Sequence, residues 1–234
     1  MDRGEMQKAE RGKHEAEERK KTEGIPSEKE FLQVMDDRFS PEVYEKLKAG
    51  KVGIAGLGGL GSHIAIMLAR SGIGCLHLVD FDIVDLGNLN RQEYRIHHLG
   101  ELKTEALKEQ LLEMNPYINV TTDCVMVTED NAAQIFADDD IICEAFDKPE
   151  NKAMLVHAIL SNCPGKKLIT GSGMAGFGSS NTIQSRKVMK NWYMCGDEKT
   201  DIAEGIGLMA ARVSICAGHQ ANMVIRILQG IEEP

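Results

Sequence analysis

Residues 52–80 hold the pattern that most limits what this chain can fold into. Val52-Gly53-Ile54-Ala55 is a short apolar run that leads directly into Gly56-Leu57-Gly58-Gly59-Leu60-Gly61. Residues 62–71 then carry Ile64, Ala65, Met67 and Leu68 at helical spacing and stop before Gly72. Residues 75–80 form a second apolar run. Strand, glycine turn, helix and strand make a βαβ unit, the opening of a doubly wound sheet. The glycines permit a tight turn and let backbone N–H groups approach a phosphate at the helix N-terminus. Asp80 closes the second strand, where a carboxylate accepts hydrogen bonds from ribose hydroxyls. The unit predicts a nucleotide site at Gly56, Gly58, Gly59, Gly61 and Asp80, and does not by itself choose among nucleotides.

The alternation continues downstream. Helices are expected over residues 102–115, 130–137, 150–162 and 207–229, with strands over 119–127, 141–145 and 167–170. Residues 182–185 are expected to form a strand leading into a polar loop. The strands read as continuous apolar runs, which suits a sheet covered on both faces. The expectation is an α/β, Rossmann-like, doubly wound and mostly parallel sheet with an antiparallel C-terminal extension. Upstream, residues 1–24 carry mixed charges and few apolar groups, the composition of a disordered tail. Ser27 with Glu30 three residues on predicts a capped helix, and Ser40-Pro41 opens a second one over 42–49. The domain division is therefore 1–24 and 25–234.

The formal net charge of -9 argues against a general nucleic-acid or anionic-membrane binder. No run of 18 apolar residues is present, so no membrane partner is expected, and no apolar stretch follows the N-terminal charges as in a secretory signal. Six cysteines occur with no CxxC pair. That fits reduced thiols in a cytoplasmic protein and gives no basis for a structural zinc.

A second motif narrows the nucleotide. Asp80-Phe81-Asp82 is followed by Asn88-Leu89-Asn90-Arg91-Gln92. An arginine placed just after the ribose carboxylate brings a planar fork of donors towards the phosphates. Lys103 opens the next helix and supplies a second cation. Asp147, after the strand at 141–145, faces the crevice and is a candidate Mg²⁺ ligand. Asp82 is expected to orient Arg91 through an ion pair.

These motifs together resemble the ThiF/MoeB proteins and the adenylating domain of ubiquitin-activating enzymes, over about residues 38–229. The nearer likeness is to the shorter ThiF branch, which adenylates the thiamine sulfur carrier ThiS. It lies in Glu144-Ala145-Phe146-Asp147, in residues 172–181 and in residues 217–222. The resemblance implies that Gly59 lies against ATP, Asp80 binds ribose, Asn88, Arg91 and Lys103 meet phosphate, and Asp147 holds magnesium. It implies a small ubiquitin-like sulfur-carrier protein as substrate, a homodimer and a sulfurtransferase as a further partner. Relatives carry an arginine near the N-terminus that reaches a neighbouring subunit. Pro41 stands there in this chain, leaving Arg38 as the substitute, and Lys148 stands where the family has asparagine.

Cys195 falls in Trp192-Tyr193-Met194-Cys195, where relatives place a crossover loop, and is a candidate covalent thiol. The other five cysteines and His219 read as packing residues, His97-His98 as loop or packing, and Asp138-Asp139-Asp140 as a solvated turn. Three other functions share parts of the pattern. They are a tRNA-modifying dehydratase of the same superfamily, an NAD-dependent oxidoreductase, and a non-catalytic carrier-binding partner.

Overall fold

The computed structural model describes residues 24–201, 205 and 207–234. The expected charged tail lies almost wholly outside the described residues. The chain divides into two units, residues 1–40 and 41–234. In the first, helix α1 (Glu28–Arg38) begins with a reciprocal capping box. Ser27 Oγ accepts from Glu30 N at 3.3 Å, and Glu30 Oε2 accepts from Ser27 N at 2.8 Å. Arg38 lies in its last turn.

The second unit holds helix α2 (Pro41–Ala49), strand β1 (Lys51–Ala55), helix α3 (Gly59–Arg70) and strand β2 (Cys75–Val79). Helix α4 (Lys103–Met114), strand β3 (Asn119–Asp123), helix α5 (Glu129–Ile135) and strand β4 (Ile141–Glu144) follow. Helix α6 (Pro149–Asn162), strand β5 (Lys167–Gly171), hairpin strands β6 (Gln184–Met189) and β7 (Trp192–Gly196), and helix α7 (Ala210–Leu228) complete it. The sheet order is β3-β2-β1-β4-β5-β7-β6. All neighbours are parallel except β6 and β7.

Alternate residues of the strands feed two apolar layers. Val52 and Ile54 join Ile64, Leu68, Leu107 and Val224 on the side of α3, α4 and α7. Ala55, Val79 and Ile142 join Ala132, Leu155 and Ile159 on the side of α5 and α6. Each fully buried Leu or Ile side chain contributes roughly 1.5–3 kcal/mol. Two-sided coverage is what the continuous apolar strands require. The chain's reversal of direction across the sheet falls between β1 and β4, the place where open α/β sheets bind ligands.

Two local expectations are corrected. The polar loop expected after residue 185 is instead a hairpin. Tyr193 and Cys195 of β7 are buried, because β7 pairs with β5 as an interior strand. The charged residues of β6 hid this, since an edge strand tolerates lysine and arginine. Asp139 is also buried, at 3% exposure, and not part of a solvated turn. His77 explains it: Nδ1 lies 2.8 Å from Asp139 and Nε2 lies 3.0 Å from Asp123.

Candidate nucleotide site

The glycine turn leaves β1 with Gly56 at φ +90°, a conformation that favours glycine. Gly56 N–H donates to Val79 O at 2.9 Å. A Cβ at Gly61 would lie 1.8 Å from Gly56 O, so the first turn of α3 can pass the glycine turn only with glycine at this position. Asp80 fixes the turn from the side. Its Oδ2 accepts from Leu57 N at 2.6 Å and its Oδ1 from Asp82 N at 2.8 Å. Tyr94 donates its hydroxyl to Leu57 O at 2.8 Å, and burial pushes that phenol well above its ordinary range. Ser62 donates to Gly58 O at 2.7 Å.

Arg91 is drawn to this turn. A Cβ at Gly59 would lie 3.5 Å from Arg91 O and 3.7 Å from its Cγ. The guanidinium donates through Nη1 to Gly87 O at 3.0 Å and to Asn90 Oδ1 at 2.7 Å. Asn88 shapes the same segment: its Oδ1 accepts from Asp85 N at 3.0 Å.

Asp82 does not pair with Arg91 as expected. Its Oδ2 lies 2.8 Å from Lys103 Nζ, and its carbonyl accepts from Lys103 N at 3.0 Å. The cause is the isolated bridge between Ile83 and Leu102, which lays the start of α4 beside residue 82.

Asp147 stands exposed in the turn between β4 and α6. Among the described residues it has no hydrogen-bond or ion-pair partner. The turn is set by Glu144, which is fully buried. Glu144 Oε1 accepts from Phe146 N at 2.7 Å and from Lys152 Nζ at 3.0 Å. Burial pushes its carboxyl up, against the pull of Lys152 and the N–H donors. A Cβ at Gly56 would meet Ala145 O and Phe146 Cδ1 at 3.0 Å, so this turn abuts the glycine turn. Glu144 was in the sequence motif, but without a role. A lone carboxylate ending an apolar strand, with a lysine eight residues on, was the available signal.

The glycine turn, Asp80, Arg91, Lys103 and Asp147 thus follow the C-terminal ends of β1, β2 and β4 and the segments they lead into. Residues 32–234 match the model of the ThiF family. The chain belongs to the ThiF family. UBA4 of Candida glabrata, named an adenylyltransferase and sulfurtransferase, is 39% identical over 132 residues, covering 55% of this chain and 30% of UBA4. UBA4 of Candida albicans is 30% identical over 244 residues, covering 92% of this chain and 54% of UBA4. The chain spans about half or less of the length of these relatives. Among solved structures, E. coli TcdA, a tRNA N6-threonylcarbamoyladenosine dehydratase in complex with AMP, superposes with a TM-score of 0.76 at 23% identity. That match covers 85% of this chain and 93% of TcdA, and shows a shared fold. E. coli MccB with MccA-N7isoASN gives 0.63 at 28% identity, covering 82% of this chain and 60% of MccB.

In this ThiF-family chain the placement expected for Cys195 is corrected. It lies in β7 with no exposure, and burial pushes its thiol up to about 11. The Sγ is 3.4 Å from Ser185 Oγ, whose own partner is His219 Nδ1 at 2.9 Å. A buried neutral thiol is neither accessible nor nucleophilic in this arrangement. No helix among the described residues is long and apolar enough to cross a membrane.

Proposed function

We propose that this chain adenylates the C-terminal carboxylate of a small ubiquitin-like sulfur-carrier protein with ATP. Membership of the ThiF family and the adenylyltransferase name of its UBA4 relatives support the reading. The single observation that carries it to this site is Arg91 held against Gly59 while Lys103, a second cation, opens the next helix. A hydride-transfer enzyme would give neither cation a task.

The carrier carboxylate attacks the α-phosphate, the bond to the β,γ-unit breaks, and pyrophosphate leaves with the electron pair. A carboxylate is ionised at neutral pH, so no general base is required. Both reactants are anionic, so the site's work is alignment and charge neutralisation. Glycine-turn N–H groups at the start of α3 receive phosphate oxygens. Asp80 receives the ribose, and Asn88, Arg91 and Lys103 meet phosphate. Asp147, an exposed carboxylate with no partner among the described residues, fits the one-carboxylate anchoring usual for magnesium beside phosphates. Magnesium bound there would supply positive charge to the phosphates.

ThiS is the proposed carrier, a sulfurtransferase the proposed second partner, a homodimer the proposed assembly with Arg38 reaching the neighbouring site, and the cytoplasm the proposed location. ATP–pyrophosphate exchange tests the core of this. Exchange should require ThiS and should disappear in Arg91→Ala and Asp147→Ala. ATP binding without exchange for ThiS, but exchange with another carrier ending in glycine, would replace ThiS and keep the reaction. Tight NAD binding with no ATP binding would overturn the reading.

A further inference from the structure

His63 sits one helical turn after Gly59 on α3, so the two share a face. Its ring joins two segments that border Gly59. Nδ1 lies 2.5 Å from Glu93 Oε1, and Nε2 lies 3.2 Å from Ser214 Oγ. Glu93 is two residues beyond Arg91. Ser214 follows Val213, whose Cγ1 would stand 3.0 Å from a Cβ at Gly59. The preceding residue reinforces the link. Ser62, fully buried, accepts Glu93 N–H at 3.2 Å while donating to Gly58 O at 2.7 Å. Residues 62 and 63 therefore grip Glu93 by backbone and side chain, and connect it to the glycine turn.

Serine, histidine and glutamate in this order could be mistaken for a hydrolytic triad. Ser214 argues otherwise. Its hydroxyl is 2.8 Å from Ala210 O, the back-bond of a helical serine. Glu93, an acceptor, requires a proton on Nδ1. Ser214 either accepts from Nε2–H or donates to a bare Nε2. The bridge stands in both cases, and Glu93 is held below the usual carboxylate range by its bond to His63, against burial.

We infer that His63 is a positioning residue for Arg91: through Glu93 and Ser214 it clamps the 88–95 segment and the first turn of α7 around Gly59. The inference rests on the proposed use of the site for ATP, and deepens it. The side-chain amide of asparagine overlays Nδ1 and that of glutamine overlays Nε2. His63→Asn therefore keeps the Glu93 arm and His63→Gln only the Ser214 arm.

The test combines ATP affinity by calorimetry with hydrogen exchange of residues 88–95. His63→Ala should weaken ATP binding roughly tenfold, as misplacement of a charged donor does. His63→Asn should recover most of that loss and His63→Gln little. Added to Arg91→Ala, His63→Ala should cost less than about twofold more, since residues acting as one unit are not additive. Amides 88–95 should exchange faster in His63→Ala while those of β1 and β4 keep their protection. Unchanged affinity and exchange in His63→Ala, full additivity with Arg91→Ala, or asparagine no better than alanine would overturn the inference. If the wild-type chain binds no ATP, the proposed function falls. The exchange of 88–95 then still decides whether His63 holds the segment.

Discussion

The Lys103 ammonium lies 2.8 Å from the Asp82 carboxylate, and the two ends of this pair differ sharply in exposure. The lysine side chain is 6% exposed and the aspartate side chain 51%. A buried ammonium is costly unless paired, whereas the open carboxylate is well solvated. A phosphate arriving from the open side can take over the lysine. Asp82→Asn should therefore lower apo-protein stability by about 1–2 kcal/mol, roughly 2–8 °C in Tm. Its ATP-induced rise in Tm should exceed that of the wild type, because ligand restores the missing anion. Lys103→Met, which removes the buried charge, should leave the apo Tm within about 3 °C and lose most of the ATP-induced shift. Thermal scans with and without ATP check this. An unchanged apo Tm in Asp82→Asn would show that the pair carries no such load.

The glycines of the turn are not equivalent. Alanine at Gly61 would place its Cβ 1.8 Å from Gly56 O, a backbone atom that cannot yield cheaply. At Gly58 the nearest atom is Gln92 Nε2 at 3.7 Å, an ordinary contact. Gly61→Ala should thus destabilise by about 2–4 kcal/mol or fail to fold. Gly58→Ala should keep its denaturation midpoint and weaken ATP binding, since the methyl then stands where backbone must approach phosphate. Urea titration alongside ATP calorimetry separates the two effects.

The parallel sheet and its glycine turn were legible because each rests on local pattern. Apolar runs such as 52–55 and 75–80 alternate with helical spacing, and glycine marks the turn. What stayed hidden depends on distant partners. Nothing near Asp139 in sequence announces His77, and nothing near Asp197 announces that its carboxylate pairs with Arg212, past the end of the hairpin. The Asp82 partner was misjudged for the same reason: the bridge from Ile83 to Leu102 brings Lys103 closer than sequence distance suggests. The loop placement of Cys195 came from the crossover segment of relatives, and Arg186 and Lys187 of β6 made a paired hairpin look like a polar loop.

His77 gives the fold a pH dependence. Burial alone would lower the pKa of its imidazole, but Asp139 and Asp123 on its two nitrogens outweigh that and raise it. A folded value above the unfolded one stabilises fully below the unfolded pKa, about 6.5. That contribution is lost as pH rises through the folded value. The wild type should therefore lose stability as pH rises above about 6.5 relative to His77→Gln, which carries no titrating ring. The variant itself should be weaker at pH 6 by about 1–3 kcal/mol, because Asp139 loses a partner while buried. Urea midpoints over the same rise in pH provide the measurement. A constant gap at all pH values would exclude a titrating contribution.

The cysteines should label in an order set by burial. Cys124 is exposed, whereas Cys143, Cys195 and Cys216 are buried. With its pKa pushed up to about 11, Cys195 has on the order of one thiolate in a few thousand at pH 7.5. Iodoacetamide followed by peptide mass spectrometry should find Cys124 modified first and Cys195 protected until denaturant is added. Cys195→Ser should retain carrier-dependent exchange within about threefold. Early labelling of Cys195 in the native chain would restore the exposed thiol expected from sequence.

Arg212 and Asp197 form the most enclosed ion pair among the described residues, with side chains 4% and 6% exposed and 2.5 Å between Nη2 and Oδ2. The arginine does more than neutralise. Its Nη1 donates to Gly178 O at 2.8 Å and Ser179 O at 2.7 Å, and its Nη2 to Thr182 Oγ1 at 3.1 Å. Asp197 accepts in turn from Lys199 N and Thr200 N, both at 2.9 Å. One buried node thus ties the first turn of α7 to the loop leading into β6 and to the end of β7. Val213, the next residue, packs at Gly59, so the node also sets one wall of the candidate nucleotide site. Arg212→Ala would strand a buried carboxylate and three further acceptors, a change that costs about 3–5 kcal/mol. The Asp197 carboxyl adds a sign that can be checked. Burial pushes it up, but the Thr200 and Lys199 N–H groups and Arg212 prevail and hold it below its ordinary range. Its stabilisation is therefore present above the unfolded value, about 3.9, and is lost as pH falls through the folded one. Asp197→Asn should be less stable at pH 7 and should show a flatter acid limb below pH 4 than the wild type. Equal acid limbs for the two chains would mean that Asp197 does not stay ionised through the fold, and the node would then rest on its hydrogen bonds alone.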